Sequence, residues 1–387
     1  MKSSNVIFCA SLGLLAWLCT TVPVFGQLSL PPPPELPVKG YILMDFHSGR
    51  ILAEQNGDQR LEPASITKLM SAYLVYKRLA EGVLSPDEDV SISRKAQSTE
   101  GSRMFVEAGT RVPVDDLLRG MVVQSGNDAT VALAEHIAGS EAGFAQLMND
   151  QARELGLNGS HFVNASGLPH ENHYMTAFDI AKLVRAIIAQ FPQYYALYSE
   201  RSYTYNNITQ HNRNKLLWRD SSVDGLKTGH TNSAGYCLAS SAKRGDMRLI
   251  AVVLGAEQEN DRFDASINLL NYGFQNYETY KLYERGYALT DVRVWKGSLN
   301  ELPLGFLENI YVTLPKGRYD DMQASLRVNS IIEAPVSKGQ MFGAVEIKLD
   351  GEDVANIPLV ALEDVSEAGF LGSLSDQLLL MINSLFN

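Results

Sequence analysis

The main change in the spacing of apolar residues along this chain comes near Gly225, where a mainly helical part gives way to a strand-rich part. Before Gly225, apolar residues recur every three or four positions within several segments. This spacing predicts helices over 114–123, 129–138, 141–155 and 179–190.

Strand-like patterns stand at both ends of the helical part. A hairpin is predicted near the start, with strands over 40–45 and 50–54. After Gly225, apolar runs predict strands over 235–242 and 248–255, and a helix follows over 264–272. From about residue 288 to residue 361 every segment is short and alternating, which predicts a small, separate β-sandwich-like domain.

The composition excludes some classes of protein. With 387 residues the chain can hold two domains of ordinary size. Hydrophobic residues make up 45% and charged residues 20%, which is typical of a folded globular protein. There are 33 basic and 44 acidic residues and no basic run, so we expect no nucleic-acid partner.

The first 26 residues have the pattern of a secretory signal peptide. Lys2 precedes an apolar run over 6–18, and small residues stand at the −3 and −1 positions of a cut after Gly26. The run is too short to span a membrane comfortably. We therefore expect an exported protein whose signal over 1–26 is removed, followed by a proline-rich linker over 27–38.

Cysteine use is simple once this signal is removed. Cys9 and Cys19 leave with it, so Cys237 remains alone and no internal disulfide can form. A lone thiol in an exported protein could be a nucleophile. The apolar segment over 235–239 instead predicts a buried strand, so we favour core packing for Cys237.

Ser65 and Lys68 are the first pair of residues with a chemical pattern. The helical spacing of apolar residues after Pro63 predicts a buried helix that begins near Ser65, with both side chains on one face. A serine hydroxyl becomes a nucleophile when a base takes its proton, and a partly desolvated lysine amine can do this. The alternative for an isolated Ser-x-x-Lys is a capping serine with a solvent-facing lysine.

Two triplets follow this pair along the chain. Ser125-Gly126-Asn127 lies about sixty residues after Ser65, and Lys227-Thr228-Gly229 lies about a hundred residues further on. Each triplet is common by itself. Together with Ser-x-x-Lys, in this order and each at the boundary of a predicted element, they form the motif set of serine enzymes that penicillins acylate.

On these motifs the chain resembles the low-molecular-mass penicillin-binding proteins that act as serine-type D-Ala-D-Ala carboxypeptidases. The resemblance covers roughly 41–361 and includes 164–169 and 251–255, which lie outside the triplets. It implies an α+β fold, in which a catalytic domain over 39–280 has an antiparallel sheet flanked by helices. A small all-β sandwich-like domain over 281–363 follows, and no cofactor is implied.

The resemblance and the chemistry together suggest catalytic roles. Ser65 would attack the carbonyl of the penultimate D-alanine, with Lys68 as the base. Ser125 would relay a proton to the departing amine, and Asn127 would hold the substrate amide or orient Lys68. Lys227 would add positive charge to the cleft and lower the pKa of Lys68 by repulsion.

The remaining predicted site residues bind the substrate. Thr228 and Gly229 belong to the third motif, and Thr228 would bind the terminal carboxylate together with Arg262. Backbone N–H groups of Ser65 and His230 would form the oxyanion hole. The imidazole of His230 is not required by this pattern.

Two groups of residues have an ordinary alternative. Arg262 could be a surface ion-pair partner of Asp261 or Asp264. His170 and His173, three apart in a predicted turn, have no third ligand. We therefore expect these two histidines to be solvated in a loop and expect no metal site.

Other functions were weighed against the carboxypeptidase. Class A β-lactamases share two of the motifs but usually carry aspartate where this chain has Gly126, and they need a glutamate to activate the deacylating water. Glu171 is the nearby candidate, and no matching motif surrounds it. We therefore expect β-lactams to be slow covalent inhibitors. A DD-endopeptidase of peptidoglycan cross-links and an inactive wall-binding scaffold remain as alternatives.

The last residues, over 364–387, are predicted to contain an amphipathic helix. Leucines such as Leu371, Leu374 and Leu378 follow helical spacing, and serines and amides lie elsewhere. The family implies a peripheral anchor on the periplasmic side of the bacterial inner membrane, which the apolar face permits. Docking on the protein itself or on a partner helix is the alternative. The other expected partners are peptidoglycan stem peptides and β-lactams.

Overall fold

The computed structural model describes residues 30–329 and 331–369. The predicted signal peptide and the part of the predicted anchor helix from residue 370 onward lie outside these residues. Within them, no helix is long and apolar enough to cross a membrane.

The described chain contains α-helices, β-strands and short 3₁₀ turns. The helices are α1 (Lys68–Ala80), α2 (Arg94–Ser98), α3 (Val114–Val123), α4 (Asn127–Ala138), α5 (Glu141–Glu154), α6 (Ala177–Gln190), α7 (Pro192–Tyr195), α8 (Leu216–Arg219) and α9 (Glu259–Asn276). The strands are β1 (Gly40–Asp45), β2 (Ile51–Gln55), β3 (Asp89–Ser91), β4 (Arg111–Pro113), β5 (Ser202–Tyr205), β6 (Ile208–His211), β7 (Val223–Thr231), β8 (Gly235–Arg244), β9 (Met247–Ala256), β10 (Tyr277–Tyr283), β11 (Ala288–Trp295), β12 (Glu301–Gly305), β13 (Ile310–Pro315), β14 (Gln323–Val328), β15 (Ile332–Glu333), β16 (Met341–Leu349) and β17 (Glu352–Ala361). The 3₁₀ turns are Ala64–Thr67, Ala196–Ser199 and Tyr319–Asp321.

A five-stranded antiparallel sheet in the order β2-β1-β9-β8-β7 forms the centre of the catalytic domain. Successive side chains of a strand point to opposite faces, and here both faces are buried. In β1, Ile42 and Met44 contact one core, and Tyr41 and Leu43 contact the other. The first core includes α1, α3, α4 and α6, and α9 covers the opposite face. The predicted antiparallel sheet flanked by helices is confirmed.

Helix α1 lies inside the first core. The chain enters it through Pro63 and the 3₁₀ turn Ala64–Thr67. Leu69, Met70 and Tyr73 are almost fully buried, and a helix that is buried on nearly every side is a core helix. The packing of α1 therefore fixes the backbone that carries the Ser-x-x-Lys motif.

The C-terminal domain is all-β, as predicted. Its six-stranded sheet has the order β14-β16-β17-β12-β11-β15, and β10 pairs with β13 in a second, two-stranded sheet. Both sheets contribute to one apolar core, with Leu304 and Ile347 from the larger sheet and Val312 and Leu314 from the smaller. Two sheets that share one buried core are the arrangement of a β-sandwich.

Several predicted boundaries differ from the structure by one to five residues, and three of them have a clear physical reason. Helix α9 begins at Glu259, five residues before the predicted start at 264, because Gln258 and Asp261 form a capping box there. The boundary predicted after residue 280 falls inside β10, which belongs to the C-terminal sheets. The boundary predicted before residue 364 falls inside the C-terminal domain, because Val365 is buried in its core and forms a β-bridge with Val336.

The proline-rich segment is also not a free linker throughout. Leu36 and Val38 pack against the core beneath α9, and the hydroxyl of Tyr41 donates to the carbonyl of Pro34 at 3.4 Å. Its last residues therefore belong to the folded catalytic domain. Ordering these residues costs backbone conformational entropy, and the burial of their apolar side chains offsets that cost.

Candidate active site

The three motifs meet at one place because three elements converge there. Ser65 lies in the turn before α1, Ser125 lies at the corner between α3 and α4, and the third triplet lies on β7, the edge strand of the sheet. Strand β7 passes very close to the Ser65 turn. A Cβ atom at Gly229 would lie 2.7 Å from the carbonyl oxygen of Pro63 and 3.2 Å from the amide nitrogen of Ser65. Glycine is therefore required for this close approach.

Lys68 and Ser65 form a direct hydrogen bond, as the spacing predicts. The distance between Lys68 Nζ and Ser65 Oγ is 2.8 Å. The same amine contacts two further oxygens, Asn127 Oδ1 at 2.7 Å and the carbonyl oxygen of Ser166 at 2.9 Å. The exposed fraction of Lys68 is 1%. The alternative of a capping serine with a solvent-facing lysine is therefore wrong.

Burial changes the acidity of this amine. Loss of hydration and, second, the positive charge of Arg213 lower the pKa of Lys68 to about 7, although the negative charge of Asp128 opposes both. The sequence predicts Lys227 as the repelling cation, and Lys227 and Lys68 do repel each other; Arg213 is a further repelling cation that no sequence motif indicates. In Lys227, burial is the largest cause of a lowered pKa, and repulsion from Lys68 comes second. The Lys68 amine can therefore lose its proton near neutral pH.

The corner that carries Ser125 is held by Asp128. Ser125 is buried and has a left-handed backbone, with φ of +66°. Asp128 accepts hydrogen bonds from the amides of Met104, Phe105 and Val106, which ties the preceding loop to α4. A Cβ atom at Gly126 would lie 2.9 Å from Asp128 Oδ1. The aspartate that class A β-lactamases carry here would therefore not fit without rearrangement.

The cleft is a cavity of about 400 Å³. Six of its lining residues are predicted site residues: Ser65, Ser125, Thr228, Gly229, His230 and Arg262. The others were not predicted: Gly101, Ser102, Arg213, Tyr236 and Glu259. Lys227 lies beneath the cleft, 2% exposed, and donates to the carbonyl of Thr228 at 3.0 Å.

Arg262 is buried at the cleft, and the alternative of a surface ion pair with Asp261 or Asp264 is wrong. Asp264 pairs with Arg219, at 2.9 Å. Arg262 donates to the carbonyl of Gly229 at 3.2 Å and to Glu259 at 3.3 Å. Its Nε atom is buried without a hydrogen-bond partner. A buried guanidinium with an unused donor is suited to binding a carboxylate.

The three histidines singled out in the sequence have different environments. The ring of His230 is exposed and stacks on Tyr236, with 4.1 Å between the ring centroids. His170 is exposed, as expected. The expectation of a solvated His173 is wrong, because its ring is buried behind α1 and its Nε2 lies 2.8 Å from Thr67 Oγ1. Among the described residues, no group of side chains is arranged to hold a metal ion.

The structure also gives the positions of Cys237 and Glu171, the residues considered as a possible nucleophile and a possible deacylation base. Cys237 is fully buried in β8, as predicted, and burial raises the pKa of its thiol to about 11. It is therefore core packing and not a nucleophile. Glu171 is exposed in the loop before α6 and is not among the residues that line the cleft.

The fold and this geometry define a class: serine acyl-transferring enzymes in which a lysine one turn from the serine acts as its partner. Comparison with known proteins agrees. Residues 28–258 match the family D-alanyl-D-alanine carboxypeptidase, and residues 277–367 match the C-terminal domain of penicillin-binding protein 5.

Individual relatives point the same way. The chain is 42% identical over 361 residues to the D-alanyl-D-alanine carboxypeptidase DacA of Haemophilus influenzae, covering 92% of each protein. The crystal structure of penicillin binding protein 5 from Haemophilus influenzae matches with a TM-score of 0.82 and 41% identity, over 87% of this chain and all of that one. Penicillin-binding protein D2 from Listeria monocytogenes, solved in its ampicillin-bound form, matches 63% of this chain and all of its own, with a TM-score of 0.58 and 32% identity. This chain therefore belongs to the D-alanyl-D-alanine carboxypeptidase family of penicillin-binding proteins.

Proposed function

We propose that this enzyme removes the terminal D-alanine from peptidoglycan stem peptides through an acyl-enzyme on Ser65. The observation that carries the proposal is the 2.8 Å contact between Ser65 Oγ and the buried amine of Lys68. Burial holds the pKa of Lys68 near 7, where a base works well at neutral pH.

Acylation begins when Lys68 takes the proton of Ser65 and Oγ attacks the carbonyl carbon of the penultimate D-alanine. The resulting oxyanion is received by the backbone N–H groups of Ser65 and His230. Losing one such donor typically slows acyl transfer by about 100- to 1000-fold. Ser125 passes the proton from Lys68 to the amine of the departing D-alanine. Water then hydrolyses the ester, with Lys68 again as the base.

The carboxylate of the terminal D-alanine is bound on the other side of the cleft. Thr228 and Arg262 line that side, and the buried amine of Lys227 donates to the carbonyl of Thr228 beneath it. Arg213 adds a further cation. Positive charge inside a cleft of an acidic protein favours a substrate that ends in a carboxylate.

We also propose that penicillins acylate the same serine and that the resulting ester is hydrolysed slowly. Glu259 is the acidic residue that lines the cleft, and it is engaged by Lys215 at 2.9 Å and by Arg262 at 3.3 Å. A carboxylate held by two cations is a weak base for water. We therefore do not expect rapid hydrolysis of β-lactams of the kind that a β-lactamase carries out. We expect β-lactams to act as covalent inhibitors.

The proposed location is the periplasmic side of the bacterial inner membrane. The signal-like residues 1–26 and the helical apolar pattern after residue 368 support export followed by peripheral attachment. Sedimentation of the full chain with inner-membrane vesicles measures the attachment.

The central experiment measures release of D-alanine from a peptide that ends in D-Ala-D-Ala, together with covalent labelling by a fluorescent penicillin. The purified enzyme should do both, and Ser65→Ala should lose both. Ser98→Ala, which changes an exposed serine on α2, is the control and should retain both. Release of D-alanine unaffected by Ser65→Ala contradicts the proposal. No release at all favours the inactive scaffold, and cleavage of a cross-linked dimer alone favours the endopeptidase.

A further inference from the structure

The segment 164–168 forms a tight loop around the side chain of Asn164. Asn164 Oδ1 accepts hydrogen bonds from the amides of Ser166, Gly167 and Leu168, at 3.3, 2.7 and 3.1 Å. Its Nδ2 donates to the carbonyl of Leu168 at 2.9 Å. One side chain therefore satisfies four backbone groups and determines the shape of the loop.

This loop is packed directly against the catalytic turn. Gly167 has φ of +82°, and a Cβ atom there would lie 1.8 Å from the carbonyl oxygen of Ala64. Ser71 of α1 donates to the carbonyl of Ala165 at 2.6 Å. A shift of the loop would therefore be transmitted to the environment of Lys68.

The contact that matters for chemistry is the carbonyl of Ser166, 2.9 Å from Lys68 Nζ. A neutral amine has two N–H groups and one lone pair. Two of the three oxygens around Nζ, Asn127 Oδ1 and the Ser166 carbonyl, can only accept hydrogen bonds. When the amine donates to both, its lone pair is directed at the third oxygen, Ser65 Oγ, whose hydrogen it must take. The Asn127 amide is oriented for this, because its Nδ2 donates to the carbonyl of Glu100 at 2.5 Å.

We propose that Asn164 is a positioning residue for catalysis: it folds the 164–168 loop so that the Ser166 carbonyl holds the Lys68 amine with its lone pair toward Ser65. The inference rests on the proposed function of Ser65 and Lys68. Asn164 touches neither the substrate nor the reacting atoms. Its effect passes through the backbone of Ser166.

The test uses the full-length enzyme and compares Asn164→Ala with Asn149→Ala. Asn149 is a matched control, because its side chain also bridges backbone groups, those of Ala145 and Phe162, but it does not shape the 164–168 loop. Asn164→Ala should lower kcat/KM for D-alanine release by about 10- to 100-fold, the range expected for a misplaced catalytic group. The loss should lie in kcat, and the rate of penicillin acylation should fall in parallel. Asn149→Ala should lower thermal stability without changing these rates.

A pH profile separates positioning from a general loss of structure. The carbonyl of Ser166 favours the ammonium form of Lys68, so its loss should move the acidic limb of kcat/KM to lower pH. The charged groups around this amine, Arg213, Asp128 and Lys227, are the same in both variants. Asn149→Ala should leave the limb where it is.

A conservative variant keeps the inference testable if Asn164→Ala does not fold. Asn164→Asp retains an oxygen for the three amides, so its plateau rate at alkaline pH should stay within about tenfold of the wild-type rate. Its added negative charge should move the limb to higher pH. An Asn164→Ala enzyme that differs no more than Asn149→Ala, or an Asn164→Asp enzyme with an unmoved limb, overturns the inference. A wild-type enzyme that releases no D-alanine would instead overturn the proposed function.

Discussion

The buried amine of Lys68 makes acylation depend on pH in a way that can be worked out beforehand. The reactive form is the neutral amine, and burial together with Arg213 places its pKa at about 7 rather than at the ordinary value of 10.5. Because the amine gains its proton as the pH falls, acylation must slow on the acidic side. The perturbation to study is therefore pH, combined with variants that change the charge around this amine.

The magnitude follows from the fraction of neutral amine. With a pKa of about 7, half of the enzyme is reactive at pH 7. Each unit of pH below that lowers the fraction about tenfold, so about 1% remains at pH 5. An exposed lysine with its ordinary pKa would be neutral in only about 3 molecules in 10,000 at pH 7. The rate of acylation by a fluorescent penicillin, measured from pH 5 to pH 9, should therefore rise about 100-fold and level off above neutrality.

Two variants test the cause of this profile. Arg213→Gln removes a cation that lowers the pKa of Lys68 and also lines the cleft. Measured at saturating penicillin, where weaker binding does not limit the rate, its acidic limb should therefore move to higher pH. Lys68→Arg keeps the charge but cannot act as a base at these pH values, so acylation should fall by at least about 100-fold at every pH. A profile that is flat from pH 5 to pH 8 would refute the reasoning. So would a limb that stays in place in Arg213→Gln.

Two other predictions concern the close approach of β7 and the end of the chain. Gly229→Ala places a methyl group 2.7 Å from the Pro63 carbonyl, so it should lower the unfolding free energy by about 1–3 kcal/mol and slow penicillin acylation by about 10- to 100-fold. Gly245→Ala, in an open turn with φ of +59°, should lower stability in denaturant titrations but leave acylation unchanged. Deletion of residues 368–387 should release the enzyme from inner-membrane vesicles into the supernatant and leave D-alanine release intact. Equal sedimentation of the full and shortened chains would rule out the anchor.

The parts of the fold that sequence reasoning located well are those whose apolar period is long and clearly bounded. Helix α3 begins and ends where its spacing predicts, between Pro113 and the polar Gln124. The apolar period predicts a start of α9 five residues too late, because the first turn of the helix is polar and the period starts only at Phe263. A capping box is a side-chain arrangement that the period alone does not reveal.

The site also contains residues that the sequence identifies and residues that it does not. The motif residues could be identified because each motif is local in sequence. Arg213, Tyr236 and Glu259 come from a loop, a strand and the first turn of a helix, and no local pattern marks them. Their meeting is a product of long-range packing. The burial of His173 is hidden from the sequence for the same reason, since it depends on how its loop packs against Thr67 in the turn before α1.

The geometry of Lys68 bears on both halves of the reaction. In the proposed mechanism this amine accepts a proton from Ser65 during acylation, passes it through Ser125 to the departing amine, and accepts one again from water during deacylation. Among the described residues that line the cleft, a free carboxylate base is absent, because the one glutamate there is held by two cations. D-alanine release and penicillin acylation should therefore share one acidic limb and respond to Arg213→Gln in the same direction. Slow loss of penicillin is expected for a further reason. Its ring nitrogen stays attached to the acyl group after acylation, so it still occupies the approach that water and Lys68 would use, whereas D-alanine diffuses away.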